Sequence, residues 1–562
     1  MFDVAGSWTG FVPIGRWLPA YRRSWLSADI LAGLALWAVM VPEGMAYAGI
    51  VGVPAIMGLY TLTPPLIAYA LFGTSRTLVV GPDTATGVIS ALTVGALAAR
   101  GSADFGALTG TLAVLIGVFF LLFGLLRQGW IAAFIATPVM RGFIEGLICV
   151  TILGQVAPLL GLHGVQGDVF EKLRFIARSL DQVAPAAALT GLLSLAAMLA
   201  LRRLSPRLPA ALIVAVAGAA LVALLGATAA GVSVVGPLPS GLPHLTPPRV
   251  SPDLLLALTP GALSIVLVGY AEALGAARAD ADGDDVDPNQ ELIAHGFANL
   301  LSGVLGGFLA VGSLSKTSVA IGAGARTQVA NLVAALLCFL TLIFLTPLFH
   351  GLPHPTLAAI VIAAMLHLSK PAYLRRLAVE APGEFAMMVV VIAGELVLGV
   401  MQGIALGVLL SLLMLIYKAS HPKSAVLGKL PKEQAYRDIR LHPDARTFPG
   451  LLIFNPGGDL FFASAGHFER ELKAAVAKAS PPIGHVLIDA SAISLVDTSA
   501  CDVLLRVIRG LKDDGVLVAF ARVRDPIKDR LQRAGIVDAV GEGAFYDRLT
   551  DGVTAALGHR VA

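Results

Sequence analysis

Four charged side chains interrupt long apolar runs: Glu43 in VMVPEGMAYAG, Asp83 in VVGPDTATG, Glu272 in LVGYAEALG and Lys316 in AVGSLSKTSVA. A charge in such surroundings is costly unless it has a partner or a task. Asp83 and Lys316 stand at the starts of two short, Gly-interrupted runs that begin at Gly81-Pro82-Asp83 and Gly312-Ser313. If these runs are half-helices, each start carries unpaired amides and about half a positive charge, which suits an anion. Ser313, Ser315 and Thr317 add hydroxyl donors, and the Lys316 ammonium adds a full charge with three donors. That donor set fits a small oxyanion.

Glu43 opposes an anion when ionised, so protonation there licenses binding, and the expectation is that Glu43 couples anion uptake to protons. An ion pair to Lys316 or a structural hydrogen bond is the competing reading. Asp83 and Glu272 supply oxygen ligands suited to Na⁺ as an alternative coupling ion. Arg141 and Glu145 are spaced i, i+4 and are expected to pair on one helix face. Glu395 has no evident partner. His163, His244, His295 and His354 show no ligand spacing and are expected in loops or at the surface, so no metal or other cofactor is expected. Cys149, Cys338 and Cys501 have no paired spacing and are read as core residues.

The elements that would position these residues follow from composition. Of 562 residues, 56% are hydrophobic and 14% charged, which places most of the chain in lipid. A net charge of +3 without a dense basic block argues against nucleic acid. No GxxxxGK[ST] motif points to an ATP-driven pump, and no cleavage site follows Arg16, Arg22 and Arg23.

From about residue 28 to 417 fourteen apolar segments are expected, centred near Trp37, Ile67, Ser90, Ile116, Ile144, Leu193, Gly218, Leu267, Leu300, Val319, Leu337, Ile362, Val390 and Leu409. Basic residues gather before segment 1 and after segments 2, 4, 6 and 12 (Arg22, Arg23, Arg76, Arg127, RRLSPR at 202–207, Lys370, Arg375, Arg376). The positive-inside rule then puts both termini in the cytoplasm and the linkers near 155–183 and 230–256 outside. The half-helices are third in each set of seven, as an inverted repeat with its site at the repeat interface requires.

Composition shifts after Tyr417. The expected organisation is a cytoplasmic segment 1–27, a transmembrane domain 28–420, a linker 421–439 and a soluble domain 440–562. In the last, GLLIFN, HVLIDA and VLVAFA read as strands alternating with amphipathic stretches near 466–478, 499–512 and 526–534. Asp497-Thr498-Ser499 reads as a helix cap.

Several of these runs resemble the SulP (sulfate permease) family of anion transporters: VPEGMAYAGIVGVP, MGLYTLTPPLIAYALFGTSRTLVVGP, GGFLAVGSLSKTSVAIGAGARTQVANLV and, in the tail, IDASAISLVDTSACDVL, which resembles a STAS domain. The resemblance implies a polytopic α-helical membrane protein with seven plus seven inverted segments, core and gate domains moving in an elevator fashion, a cytoplasmic α/β STAS domain and a homodimer in the inner (plasma) membrane. It implies a transporter, not an enzyme, carrying a small inorganic or organic anion with H⁺ or Na⁺. By motif, Glu43, Tyr47, Asp83, Thr84, Glu272, Ser315 and Lys316 would line the site. Glu43 stands where many members have Gln, Lys316 where most have Arg and Asp83 where many are apolar. The expected function is proton-coupled anion symport; sodium-coupled bicarbonate or C4-dicarboxylate transport and uncoupled exchange or conduction are the alternatives. Ser499 resembles a position phosphorylated in soluble anti-sigma-factor antagonists, but capping by Asp497 or Thr498 is the favoured reading of the motif, since nothing else in the chain implies a kinase.

Overall fold

The computed structural model describes residues 12–134, 137–162, 168–204, 208–226, 231–239, 241–243, 245–249, 251–278, 286–431, 433 and 435–558. Each expected apolar centre falls within a helix. In chain order these are α1 Leu26–Val51, α2 Thr63–Phe72, α3 Thr84–Gly95, α4 Ala103–Leu125, α5 Thr137–Leu159, α6 Pro185–Leu204 and α7 Ala210–Leu225. They continue as α8 Pro252–Arg278, α9 Pro288–Val304, α10 Leu314–Gly322, α11 Val329–Leu340, α12 His354–Leu368, α13 Pro382–Leu398 and α14 Val400–Ser420. Among the described residues, eight helical stretches are long and apolar enough to cross a membrane by length and composition.

The two interrupted runs are short helices. With 12 residues in α3 and 9 in α10, a rise of 1.5 Å per residue gives about 18 Å and about 14 Å, well under a hydrocarbon core of about 30 Å. Helix α1 ends at Gly52, whose φ of 94° is a left-handed cap that a side chain would strain. The stretch near 155–183, expected as an irregular linker, contains helix Val169–Arg178, begun by a capping box of Asp168 and Glu171. A further helix, Pro371–Glu380, lies between α12 and α13.

The chain divides into two compact units, 1–411 and 412–562. In the first, α9 packs along α4 and α2, and α11 along α1 and α2; α13 packs on α5, and α12 on α5 and α6. Two groups of helices result, α1–α4 with α8–α11 and α5–α7 with α12–α14. Backbones approach closely where glycines face each other: a Cβ on Gly303 of α9 would stand 2.6 Å from the Gly110 carbonyl oxygen of α4. The packing is reciprocal, since α1 lies against α10 while α8 lies against α3.

The second unit has a six-stranded sheet in the order β4-β3-β5-β6-β7-β8: β3 Ala425–Lys429, β4 Tyr436–Asp438, β5 Leu451–Asn455, β6 His485–Asp489, β7 Leu517–Ala521 and β8 Phe545–Tyr546. Strands β5 to β8 run parallel, whereas β3 is antiparallel to both β5 and β4. Helices Ala465–Lys478, Thr498–Asp513 and Asp525–Arg533 match the amphipathic stretches. The 421–439 stretch, expected as a linker, instead supplies β3 and β4, because Leu427 is buried in the core with Leu451 and Ile453. The expected cap of Thr498–Asp513 is present: Asp497 accepts from Ala500 N at 2.8 Å.

Candidate functional site

Just before α3 and α10 the backbone is extended. Strand β1, Val80–Gly81, pairs antiparallel with β2, Val311–Gly312, in the register Val80 to Gly312 and Gly81 to Val311. The ladder continues through Ser313 N, which donates to Val79 O at 3.0 Å, and Val79 N, which donates to Thr317 Oγ1 at 3.1 Å. The two half-helix starts are thereby brought side by side. Ser313 joins the strands through its backbone amide and Thr317 through its hydroxyl oxygen as acceptor, so neither hydroxyl, read as an anion donor, donates there.

Buried side chains on neighbouring helices brace this junction. His295 of α9 donates from Nδ1 to Glu291 O at 2.8 Å and accepts from Gly312 N on Nε2 at 3.0 Å, which fixes a neutral tautomer. Asn299, one turn on, donates to Ala310 O at 2.7 Å and accepts from Ala310 N at 2.9 Å. Gln328 and Asn331 donate to Leu78 O at 3.0 and 2.8 Å. Asp29 of α1 accepts from Arg326 N and the Thr327 hydroxyl, both at 2.7 Å, and Glu291 accepts from the Tyr69 and Thr74 hydroxyls. Apart from His295, these residues go unmarked in the sequence because their partners lie far along the chain. The i, i+4 series Glu291, His295, Asn299 on one face of α9 was the available signal. The surface position expected for His295 is corrected: it is fully buried. His354 is exposed at the start of α12, while His163 and His244 lie outside the described residues.

Lys316, on the first turn of α10, is 2% exposed and donates to Pro82 O at 2.7 Å, across the junction. Its ammonium is 3.9 Å from Glu43 Oε2 of α1 and 5.0 Å from the centre of the Tyr47 ring. Glu43 is 1% exposed, and its Oε2 accepts no hydrogen bond. Asp83 turns back on its own helix: Oδ2 accepts from Ala85 N at 2.8 Å and Thr86 N at 3.4 Å. That carboxylate occupies the α3 end where an anion was expected, because extended Asp83 has the geometry of an N-cap. At α10, Ser313 holds the cap position and its side chain makes no capping bond.

Thr84 is buried at the start of α3 and Ser315 is half-buried beside Lys316. Glu272, part-buried on α8, lies within electrostatic reach of both Asp83 and Lys316. Helices α1, α3, α8 and α10 thus bring Glu43, Tyr47, Asp83, Glu272 and Lys316 to one place. Thr86 and Ser90, one turn apart on α3, add two buried hydroxyls without hydrogen-bond partners.

Two expected assignments change. Glu145 accepts from the Ser369 hydroxyl at 2.8 Å and Lys370 N at 3.2 Å, and the Arg141 guanidinium lies 5.6 Å from the Tyr373 ring centre. Contacts to segment 369–373 therefore replace the i, i+4 pair. Cys338 and Cys501 are buried as expected, but Cys149 is exposed on α5.

This arrangement, charged groups held at the meeting of two broken helices in an apolar bundle, defines a polytopic membrane transporter. Residues 26–391 match the sulfate permease family and residues 442–552 the STAS domain. A Mycobacterium tuberculosis protein named probable sulfate transporter is 33% identical over 95% of this chain and 96% of its own. Solute carrier family 26 member 10 of Mus musculus is 29% identical over 97% of this chain and 86% of its own. The solved structure of the murine Slc26a9 anion transporter in the inward-facing state has the same fold, with a TM-score of 0.87 at 23% identity over 99% of this chain and 96% of that one. The transmembrane domain of the cyanobacterial bicarbonate transporter BicA aligns with a TM-score of 0.62 at 23% identity over 68% and 98%. The chain belongs to the sulfate permease family: it is an anion transporter with a C-terminal STAS domain, and not an enzyme.

Proposed function

We propose that this chain is a secondary active transporter of a small oxyanion, sulfate first among them, with the proton as coupling ion. The observation that carries the reading is the buried Lys316 ammonium, 3.9 Å from Glu43 and bonded to Pro82 O. While Glu43 is ionised it neutralises Lys316, and the pocket has no net attraction for an anion. Once Glu43 takes a proton, Lys316 and the free α10 amides face the pocket as positive groups. One proton then enters with one anion, and Glu43 recaptures Lys316 when both leave. Asp83 already occupies the α3 amides, so the anion is held by Lys316, Ser315, Thr84 and Tyr47.

In this reading the fourteen helices are two inverted sets of seven in the inner membrane with both termini in the cytoplasm. The reciprocal packing of α1 on α10 and α8 on α3 supports it. The α1–α4 and α8–α11 group carries the site as a moving core against the other helices, in a homodimer, and the STAS domain follows with its first strand at Ala425–Lys429.

Purified protein in liposomes, given sulfate, bicarbonate, chloride or a C4-dicarboxylate under separate H⁺ and Na⁺ gradients, tests substrate and coupling together. Sulfate uptake driven by an inward H⁺ gradient and lost from that gradient in Glu43→Gln is expected. Uptake that follows Na⁺ alone, or Glu43→Gln with the pH dependence of the wild type, contradicts proton coupling through Glu43.

A further inference from the structure

Where the ends of α1 and α3 approach α5, α12 and α13 there is a cavity of about 770 Å³. Its wall includes Arg100, on the connection from α3 to α4, and Lys172, on helix Val169–Arg178 that follows α5. Gly52 leaves room for the Arg100 side chain, and Lys172 passes Gly154 at ordinary contact distance. The Arg100 Cγ and Cδ lie 3.3 Å from where a Cβ on Gly52 would stand, and Lys172 Nζ lies 3.9 Å from where one on Gly154 would stand. Neither side chain has a hydrogen bond or ion pair among the described residues. Arg100 is exposed and Lys172 half-buried; burial and the Arg100 charge hold Lys172 below its ordinary value.

The acids of the same cavity offset them only in part. Asp168 draws Lys172 up by less than burial and Arg100 draw it down, and its carboxylate also accepts from Glu171 N at 2.7 Å. The Glu395 carboxylate has no exposed oxygen and is packed against Gly146. Two cations that repel each other therefore line one cavity of about 770 Å³, with Asp168 the acid that acts on Lys172. Such a pair is more stable when a negative ion stands between them.

We propose that this cavity is a second anion site, separate from Lys316, in which Arg100 and Lys172 capture a small oxyanion at the mouth of the transport path. Arg100 belongs to the α1–α4 group and Lys172 to the α5–α7 group, so the captured ion bridges the two sets of helices. Capture raises the local concentration of the transported ion, an effect screened by salt. The choice of a transported oxyanion as occupant rests on the transport reading above.

The test uses the full-length protein with Arg100→Gln, Lys172→Gln and the double substitution, and Arg376→Gln as a control outside this cavity. Radiolabelled sulfate is followed twice: by uptake into proteoliposomes at low and high ionic strength, and by equilibrium binding to the purified chain. At low salt the double variant should raise the half-saturating sulfate concentration about tenfold, and each single variant about threefold, with maximal rates within about twofold of wild type. High salt should remove the difference, and Arg376→Gln should show none. The single variants decide the matter if the double one does not assemble. Weaker sulfate binding in the cavity variants without uptake by any form would uphold this site and defeat the transport reading. Unchanged half-saturation and binding at low salt, with uptake intact, would overturn the site and leave transport standing.

Discussion

At Lys316 one ammonium proton is committed to Pro82 O, and the remaining charge is shared between Glu43 and the face of Tyr47. A second pair has its acid buried and its arginine half in water. In the α/β unit Asp489 is fully buried at the end of β6 and accepts from Arg522 Nε at 2.9 Å, from Arg522 Nη2 and from Asn455 Nδ2 at 2.8 Å. Removing the cation leaves Asp489 with fewer donors at a site open to water on the arginine side, so Arg522→Ala is expected to lower the stability of this unit by about 1–3 kcal/mol. Amide hydrogen exchange on β6 and β7 reads the loss; unaltered protection there would deny the pair this role. Exposed pairs behave differently. Asp438 is held below the usual carboxylate range first by its hydrogen bond to Arg440, which reaches both its oxygens at 3.1 Å. A group depressed on folding contributes above its unfolded value and loses that contribution as pH falls through the folded one. Protection of β4 should therefore fall slightly as pH drops below about 4, and Arg440→Gln should abolish that pH dependence, as exchange measured between pH 5 and 3 will show.

Among the elements, α3 and α10 are defined by what precedes them: two-residue strands whose pairing halts both helices at the same level. The broken runs were legible in the sequence because Gly-Pro-Asp and Gly-Ser interrupt otherwise continuous hydrophobic stretches. Their pairing was not, since nothing local announces that Val80 meets Gly312. Nor could residue types alone reveal that Thr317 and Ser313 bond Val79. The cap at Asp83 was legible, an Asp ahead of Thr-Ala-Thr, but the expectation of an anion there hid it. Strands β3 and β4 escaped notice because they are short and lack a clean alternation. Close helix approach gives a further prediction. A Cβ at Gly58 would collide with the Gly44 backbone of α1, so Gly58→Ala is expected to cost about 1–3 kcal/mol or more through overpacking. Thermal unfolding of the purified protein measures it, and a variant as stable as wild type would mean that this contact yields freely. Asp497→Ala should cost about 1 kcal/mol through loss of the cap, read as earlier melting of the second unit.

Across the molecule, the membrane unit is two groups of helices, with the charged site carried on α1, α3, α8 and α10 of one group. The motifs with the most specific family resemblance, GTSRTLVVGP and AGARTQVANL, turn out to be largely scaffold. Their Thr74, Leu78, Thr327, Gln328 and Asn331 lock the approach to the half-helices, while the residues facing the pocket are few. In the proposed reading, contact with the substrate at this site centres on Lys316. Comparison of sulfate uptake by wild type, Lys316→Arg and Lys316→Ala in proteoliposomes, each checked for correct assembly, tests this most directly. Uptake is predicted to persist with arginine, whose guanidinium can serve both Pro82 O and an oxyanion, and to disappear with alanine. Uptake at the wild-type rate by a well-assembled Lys316→Ala protein would contradict the account.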